Sequence, residues 1–120
     1  MKYLLLICTN EGDRAGMSEA DMGKLMEEYM SFSRGIRKSG HYLGGEALQP
    51  VATATTVRVR DGKTLTTDGP FAETREQLGG FFLIEAPDLA AAARIARECP
   101  ALGHGESVIV RPLTDHSDVP

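Results

Sequence analysis

The stretch Thr55-Thr56-Val57-Arg58-Val59-Arg60-Asp61-Gly62-Lys63-Thr64-Leu65-Thr66-Thr67 decides how the rest of the chain is read. Its residues alternate up to Asp61-Gly62, a pair that tolerates positive φ and turns two strands tightly, and the chain then returns from Lys63 to Thr67. A hairpin supplies its own pairing, so it can be lifted out of the element order. What flanks it then reads as two β-α-β halves.

Upstream, residues 2–8 form a continuous apolar run, the pattern of a buried strand, ended by the turn residues Thr9-Asn10-Glu11-Gly12. A loop through Gly16 leads to Ser18, with Asp21 three residues on, as at a capped helix start. Met22, Leu25, Met26, Tyr29, Phe32 and Ile36 recur at helical spacing. Acidic residues open the segment, Arg34, Arg37 and Lys38 close it, and Gly40 can take the left-handed position beyond the end. This predicts one amphipathic helix over about 19–39. His41-Tyr42-Leu43 then begins a strand broken or bulged at Gly44-Gly45.

Downstream of the hairpin, Asp68-Gly69-Pro70-Phe71 is a loop, and residues 79–86 are an apolar strand. Pro87-Asp88 starts a second helix with Leu89, Ala92, Ala93, Ala96 and Cys99 on one face, stopped by Pro100. Residues 107–113 form the last strand, and the tail from Thr114 is polar. The expected fold is therefore α+β, a ferredoxin-like βαββαβ unit with an inserted hairpin, in a single domain over residues 1–113. The strands at Tyr3–Ile7 and Phe81–Ile84 are apolar on both faces. A sheet face of that kind is too large a patch to leave in water, so a homodimer packed sheet against sheet is predicted.

With 120 residues, 42% apolar and 25% charged, the chain is a globular domain able to bury a core without staples. A net charge of -4, 6% aromatics and no Trp leave no basic, stacking surface for nucleic acid. The N-terminal apolar run is far too short for a membrane span or a secretory leader, which points to the cytoplasm. Cys8 and Cys99 make no disulfide framework and read as small buried hydrophobes. No HExxH, CxxC, P-loop or GxGxxG pattern occurs, so no metal or cofactor is called for.

Asp68-Gly69-Pro70-Phe71, Gly45-Glu46-Ala47-Leu48-Gln49-Pro50, Ala72-Glu73-Thr74-Arg75-Glu76-Gln77-Leu78-Gly79-Gly80 and Val110-Arg111-Pro112-Leu113 occur in order along nearly the whole chain. In these motifs the chain resembles the YCII-related superfamily, in particular its DGPF branch. The resemblance implies a dimeric α+β barrel with a pocket between sheet and loops, and an association of some members with sigma factors. The wider superfamily carries a His-Asp dyad. Counting back from Gly40 puts Tyr29 at the His position, and the end of the second helix puts Cys99 near the Asp position. Both dyad groups are thus replaced, and a Tyr is a poor base at neutral pH.

Among the remaining polar groups, Asp68 precedes a Gly-Pro turn that fixes its direction. It either caps that turn or acts as an acid-base or ligand group. Tyr29 and His41 are candidate assistants in catalysis. Arg58 on the hairpin and Arg111 on the last strand could clamp an anionic substrate group or form salt bridges. Phe71 and Glu73 would complete a ligand site near the loop. Glu73 and Glu76 equally fit a solvated acidic face. His104, between two glycines, reads as a flexible loop residue. The functional expectation is a dimer that binds a small molecule, with or without acid-base chemistry. A non-catalytic regulatory or interaction module, associated with sigma-factor regulation, is the alternative.

Overall fold

A computed structural model describes residues 1–69 and 76–116. Its elements are β1 (Lys2–Thr9), α1 (Glu11–Ala15), α2 (Glu19–Lys38), β2 (Tyr42–Ala47), β3 (Thr55–Arg60), β4 (Lys63–Asp68), β5 (Gln77–Glu85), α3 (Leu89–Ala96) and β6 (Ser107–Pro112). Short 3₁₀ turns cover Val51–Thr53 and Pro100–His104. The main sheet runs β2-β5-β1-β6 with every neighbour antiparallel, and β3-β4 form a separate two-stranded sheet. This is a mixed α+β fold consistent with a ferredoxin-like unit carrying a hairpin between its halves.

Local chemistry accounts for the boundaries. The Ser18 hydroxyl accepts from the Asp21 N–H at 3.1 Å at the start of α2, and Gly40 at φ 82° lets the chain leave its end. Asp88 caps α3 through the Ala91 N–H at 2.8 Å. Asp61 and Gly62, at φ 52° and 74°, make the hairpin turn. The register of β2 against β5 shifts between Tyr42 and Gly44, the bulge expected at the glycine pair.

The core lies between one sheet face and the helices. Tyr3, Leu5 and Ile7 of β1, Ile84 of β5, Phe32 and Ile36 of α2, and Ala92 and Ala96 of α3 are buried there. The opposite face presents Leu4, Leu6, Leu83 and Phe81, all only partly covered, with Ile109 47% exposed. Among the described residues that pack against the buried core, none is one of these.

Three expectations need correction. The loop through Gly16 contains the short helix α1, capped by Asn10, whose side chain accepts from the Asp13 N–H at 3.1 Å. Leu89 is 52% exposed, and α3 buries Ala91 instead. Only small alanines allow so short a helix to lie close on the sheet. Cys8 is partly exposed on the uncovered face, whereas Cys99 is buried.

Candidate functional site

Helix-on-sheet layers are normally filled by large side chains from both sides. Near the β2 edge this filling fails. Gly80 of β5 pairs with both Ile7 and Ala47, and Gly45 of β2 pairs with Phe82. A Cβ on Gly80 would lie 2.9 Å from the Glu46 carbonyl oxygen, and one on Gly45 would lie 2.8 Å from the Phe81 carbonyl oxygen. At Gly80 the β2 backbone takes the place of a side chain, and at Gly45 the Phe82 ring does, its Cδ1 2.9 Å from the Cβ position, so neither strand projects a side chain of its own at these two points. The result is a cleft of about 340 Å³ between α2 and the β2-β5 side of the sheet. That volume is at the lower end of ordinary small-molecule sites.

One long wall comes from α2. Met26, Met30, Ser33 and Arg37 follow each other at helical spacing and all border the cleft. At one end the Arg37 guanidinium sits 3.9 Å from the Tyr42 ring centroid, and its Nε donates to the Ser33 hydroxyl at 3.3 Å. At the other end lies a polar cluster. Arg14 donates from Nη2 to Glu106 Oε1 at 2.7 Å and from Nε to Oε2 at 3.1 Å. The Asn10 N–H also donates to Oε2, at 2.8 Å. Arg14 Nη2 reaches the Tyr29 hydroxyl at 3.4 Å, and the buried Cys99 lies near enough for it and Tyr29 to influence each other's ionisation. Beyond Arg14 a second hollow of about 520 Å³ continues past Thr9 and Gly79 toward Leu48 and Pro50.

The electrostatics make Tyr29 a neutral hydrogen-bonding group. Burial, reinforced by the neighbouring Cys99, pushes its phenol up to about 12 against the pull of Arg14. Burial likewise pushes the Cys99 thiol up, with Ala101, Tyr29 and Arg14 opposing, so it stays protonated and unreactive. For Arg14, burial lowers the affinity for the proton, but hydrogen bonds to Glu106 and Tyr29 outweigh it and the guanidinium is held above its usual value. Burial and then the Glu76 charge raise the Cys8 thiol.

Of the candidate site residues that lie among the described residues, Tyr29 is the one that borders this cleft. His41 lines a different hollow, an 880 Å³ furrow between α2 and α3, and its Nδ1 lies 2.8 Å from the Glu85 carbonyl oxygen. That furrow is larger, and its walls carry two carboxylates, Glu28 and Glu98, against one guanidinium, Arg94. Asp68 ends β4 at the base of the hairpin, exposed, where Gly69 N–H bonds the Ala54 carbonyl at 2.6 Å. Arg58 is exposed on the same hairpin, and Arg111 pairs with Leu4 across the uncovered sheet face. Phe71 and Glu73 lie outside the described residues. His104 sits in a 3₁₀ turn with Nε2 3.4 Å from Glu28 Oε2, not in a free loop. Among the described residues no group of three or more His, Cys, Asp or Glu is placed to hold a metal ion.

Sequence reasoning missed Arg14, Arg37 and Glu106. Arg37 reads as a helix-end charge. Arg14 and Glu106 are 92 residues apart, and only Glu106 being a carboxylate at the mouth of an apolar strand hinted at a buried partner.

Fold and site together define a small α+β protein with a glycine-floored cleft between helix and sheet. The chain belongs to the YCII-related domain family, whose model matches residues 1–114. It is 34% identical over 117 residues to "Uncharacterized protein R00369" of Rhizobium meliloti (strain 1021), covering 94% of this chain and 92% of that protein. Among the described residues no helix is long and apolar enough to cross a membrane.

Proposed function

We propose that the protein is a homodimer that binds a small organic molecule in the cleft between α2 and the β2-β5 strands. The observation that carries this reading is the cleft of about 340 Å³ itself, which Met26, Met30, Ser33 and Arg37 of α2 border on one side and the β2 and β5 strands, with Gly45 and Gly80, on the other. The walls offer apolar surface with a few converging polar groups, the usual composition of a ligand site. Tyr29, held neutral, serves as a hydrogen-bonding group toward the ligand and not as a base. The dimer reading rests on the uncovered Leu4, Leu6, Phe81 and Leu83 face, which a second copy would bury.

One observation favours the alternative of an interaction module. Val57 and Val59 on the projecting hairpin are 62% and 71% exposed. A thermal-shift screen against small metabolites separates the two, run beside Ser33→Trp, which puts an indole in the cleft, and Asp68→Asn at the hairpin base. A ligand at about 100 times its Kd adds about 2.7 kcal/mol and raises the midpoint by several degrees. The cleft reading expects hits that Ser33→Trp loses. Hits that Ser33→Trp retains and Asp68→Asn loses would move the site to the loop after β4. No hits across a broad library would favour a protein partner.

A further inference from the structure

We infer that the cleft takes a small organic monoanion with an apolar body, its carboxylate recognised by Arg37. This rests on the ligand-binding reading above and adds the chemical class of the ligand.

The two guanidiniums of the cleft are in opposite electrostatic states. Arg14 is committed to Glu106 through two short hydrogen bonds, so its charge is already matched. Arg37 has no carboxylate within 4.0 Å among the described residues. Its Nε is used by Ser33 and its plane is stacked on Tyr42, while both Nη groups carry no hydrogen bond among the described residues. A stacked guanidinium is held in orientation and offers its edge as a preset fork, the geometry that suits a carboxylate. Glu46 also borders the cleft, but it pairs with Phe81 on the sheet face turned away from the helices. The protein as a whole carries a net charge of -4, so an unmatched cation at a cavity mouth is a local feature and not part of a basic surface.

Between the two ends the wall is apolar. Met26 and Met30 are 48% and 60% exposed, and unbranched thioether side chains adapt to ligands of varied outline. Eight residues separate Tyr29 from Arg37, about 12 Å along the helix. A ligand whose carboxylate meets Arg37 would lay its body over Met30 and bring any polar substituent toward the Tyr29 hydroxyl.

The test uses 3-phenylpropanoate and its neutral amide as matched probes, titrated calorimetrically into the native protein, Arg37→Gln and Arg37→Lys. Arg37 is exposed, so the variants should fold, which unchanged circular dichroism would verify. The expected result is an acid at least about tenfold tighter than its amide, a preference lost in Arg37→Gln through weaker acid binding alone. Arg37→Lys, which keeps the charge without the fork, should fall between. Acid and amide binding equally to the native protein, or a preference that survives in Arg37→Gln, would overturn the carboxylate inference while leaving the cleft as a ligand site. Binding of neither probe would overturn both.

Discussion

The Arg14–Glu106 pair fixes the inner end of the cleft, and its energetics can be worked from the geometry. Glu106 is 4% exposed at its side chain and Arg14 is 24% exposed. The carboxylate accepts three hydrogen bonds, two of them from Arg14. Arg14→Met removes those two and strands a buried carboxylate on the Asn10 N–H alone. Breaking a buried pair from one side costs roughly 3–5 kcal/mol, and partial water access through the Arg14 position places this case near 3 kcal/mol. Glu106→Gln keeps an acceptor for Asn10 and leaves the more accessible partner unmatched, at about 2 kcal/mol. The double variant leaves no uncompensated charge, so it should cost about 3 kcal/mol and not the sum, a coupling of about 2 kcal/mol. Urea unfolding at one fixed protein concentration reads all four proteins, the fixed concentration being needed for the proposed dimer. Additivity to within about 0.5 kcal/mol would refute the claim that the two groups act as one buried unit.

Three further outcomes follow from the same structure. The Tyr29 phenol, with its folded-state value raised to about 12, should give a late component in an alkaline absorbance titration that disappears in Tyr29→Phe. Because the shift is upward, its contribution to stability is complete below pH 10 and is lost as pH rises toward 12. Gly80→Ala should cost about 1–3 kcal/mol by thermal unfolding, since its Cβ meets backbone at 2.9 Å. Gly23→Ala in α2, with nothing within 4 Å, should be neutral or stabilising by up to about 1 kcal/mol. Leu6→Asp at the middle of the uncovered sheet face should halve the mass seen by light scattering, from twice 13.0 kDa to 13.0 kDa; an unchanged mass would place any dimer contact elsewhere.

The parts of the fold that are written locally were legible. The Ser18 cap, the Met22–Ile36 periodicity and Gly40 define α2, and Asp61-Gly62 defines the hairpin, because each signal lies within a few residues of the structure it makes. Helix α1 was hidden because five residues carry no periodicity, and only Asn10 with Asp13 marked its start. The site was less legible for a physical reason. Gly44-Gly45 announces a broken or bulged strand and Gly79-Gly80 opens an apolar one, but that Gly45, Gly79 and Gly80 border one cleft under α2 depends on β2 lying beside β5, which neither segment encodes alone. Tyr29 was identified through the family resemblance, and its contacts with Arg14 and Cys99 give that position its chemistry. Glu106 acquires its role only through a partner far away in sequence, and Arg37 through having no carboxylate within 4.0 Å among the described residues.

The central claim is that the cleft under α2 holds the ligand, and the five methionines provide a direct map of it. Methyl-labelled methionine NMR, recorded while a library of small organic acids is added, should move the Met26 and Met30 signals and leave Met1, Met17 and Met22 in place. Shifts confined to Met1, Met17 or Met22, with Met26 and Met30 unmoved, would contradict the account.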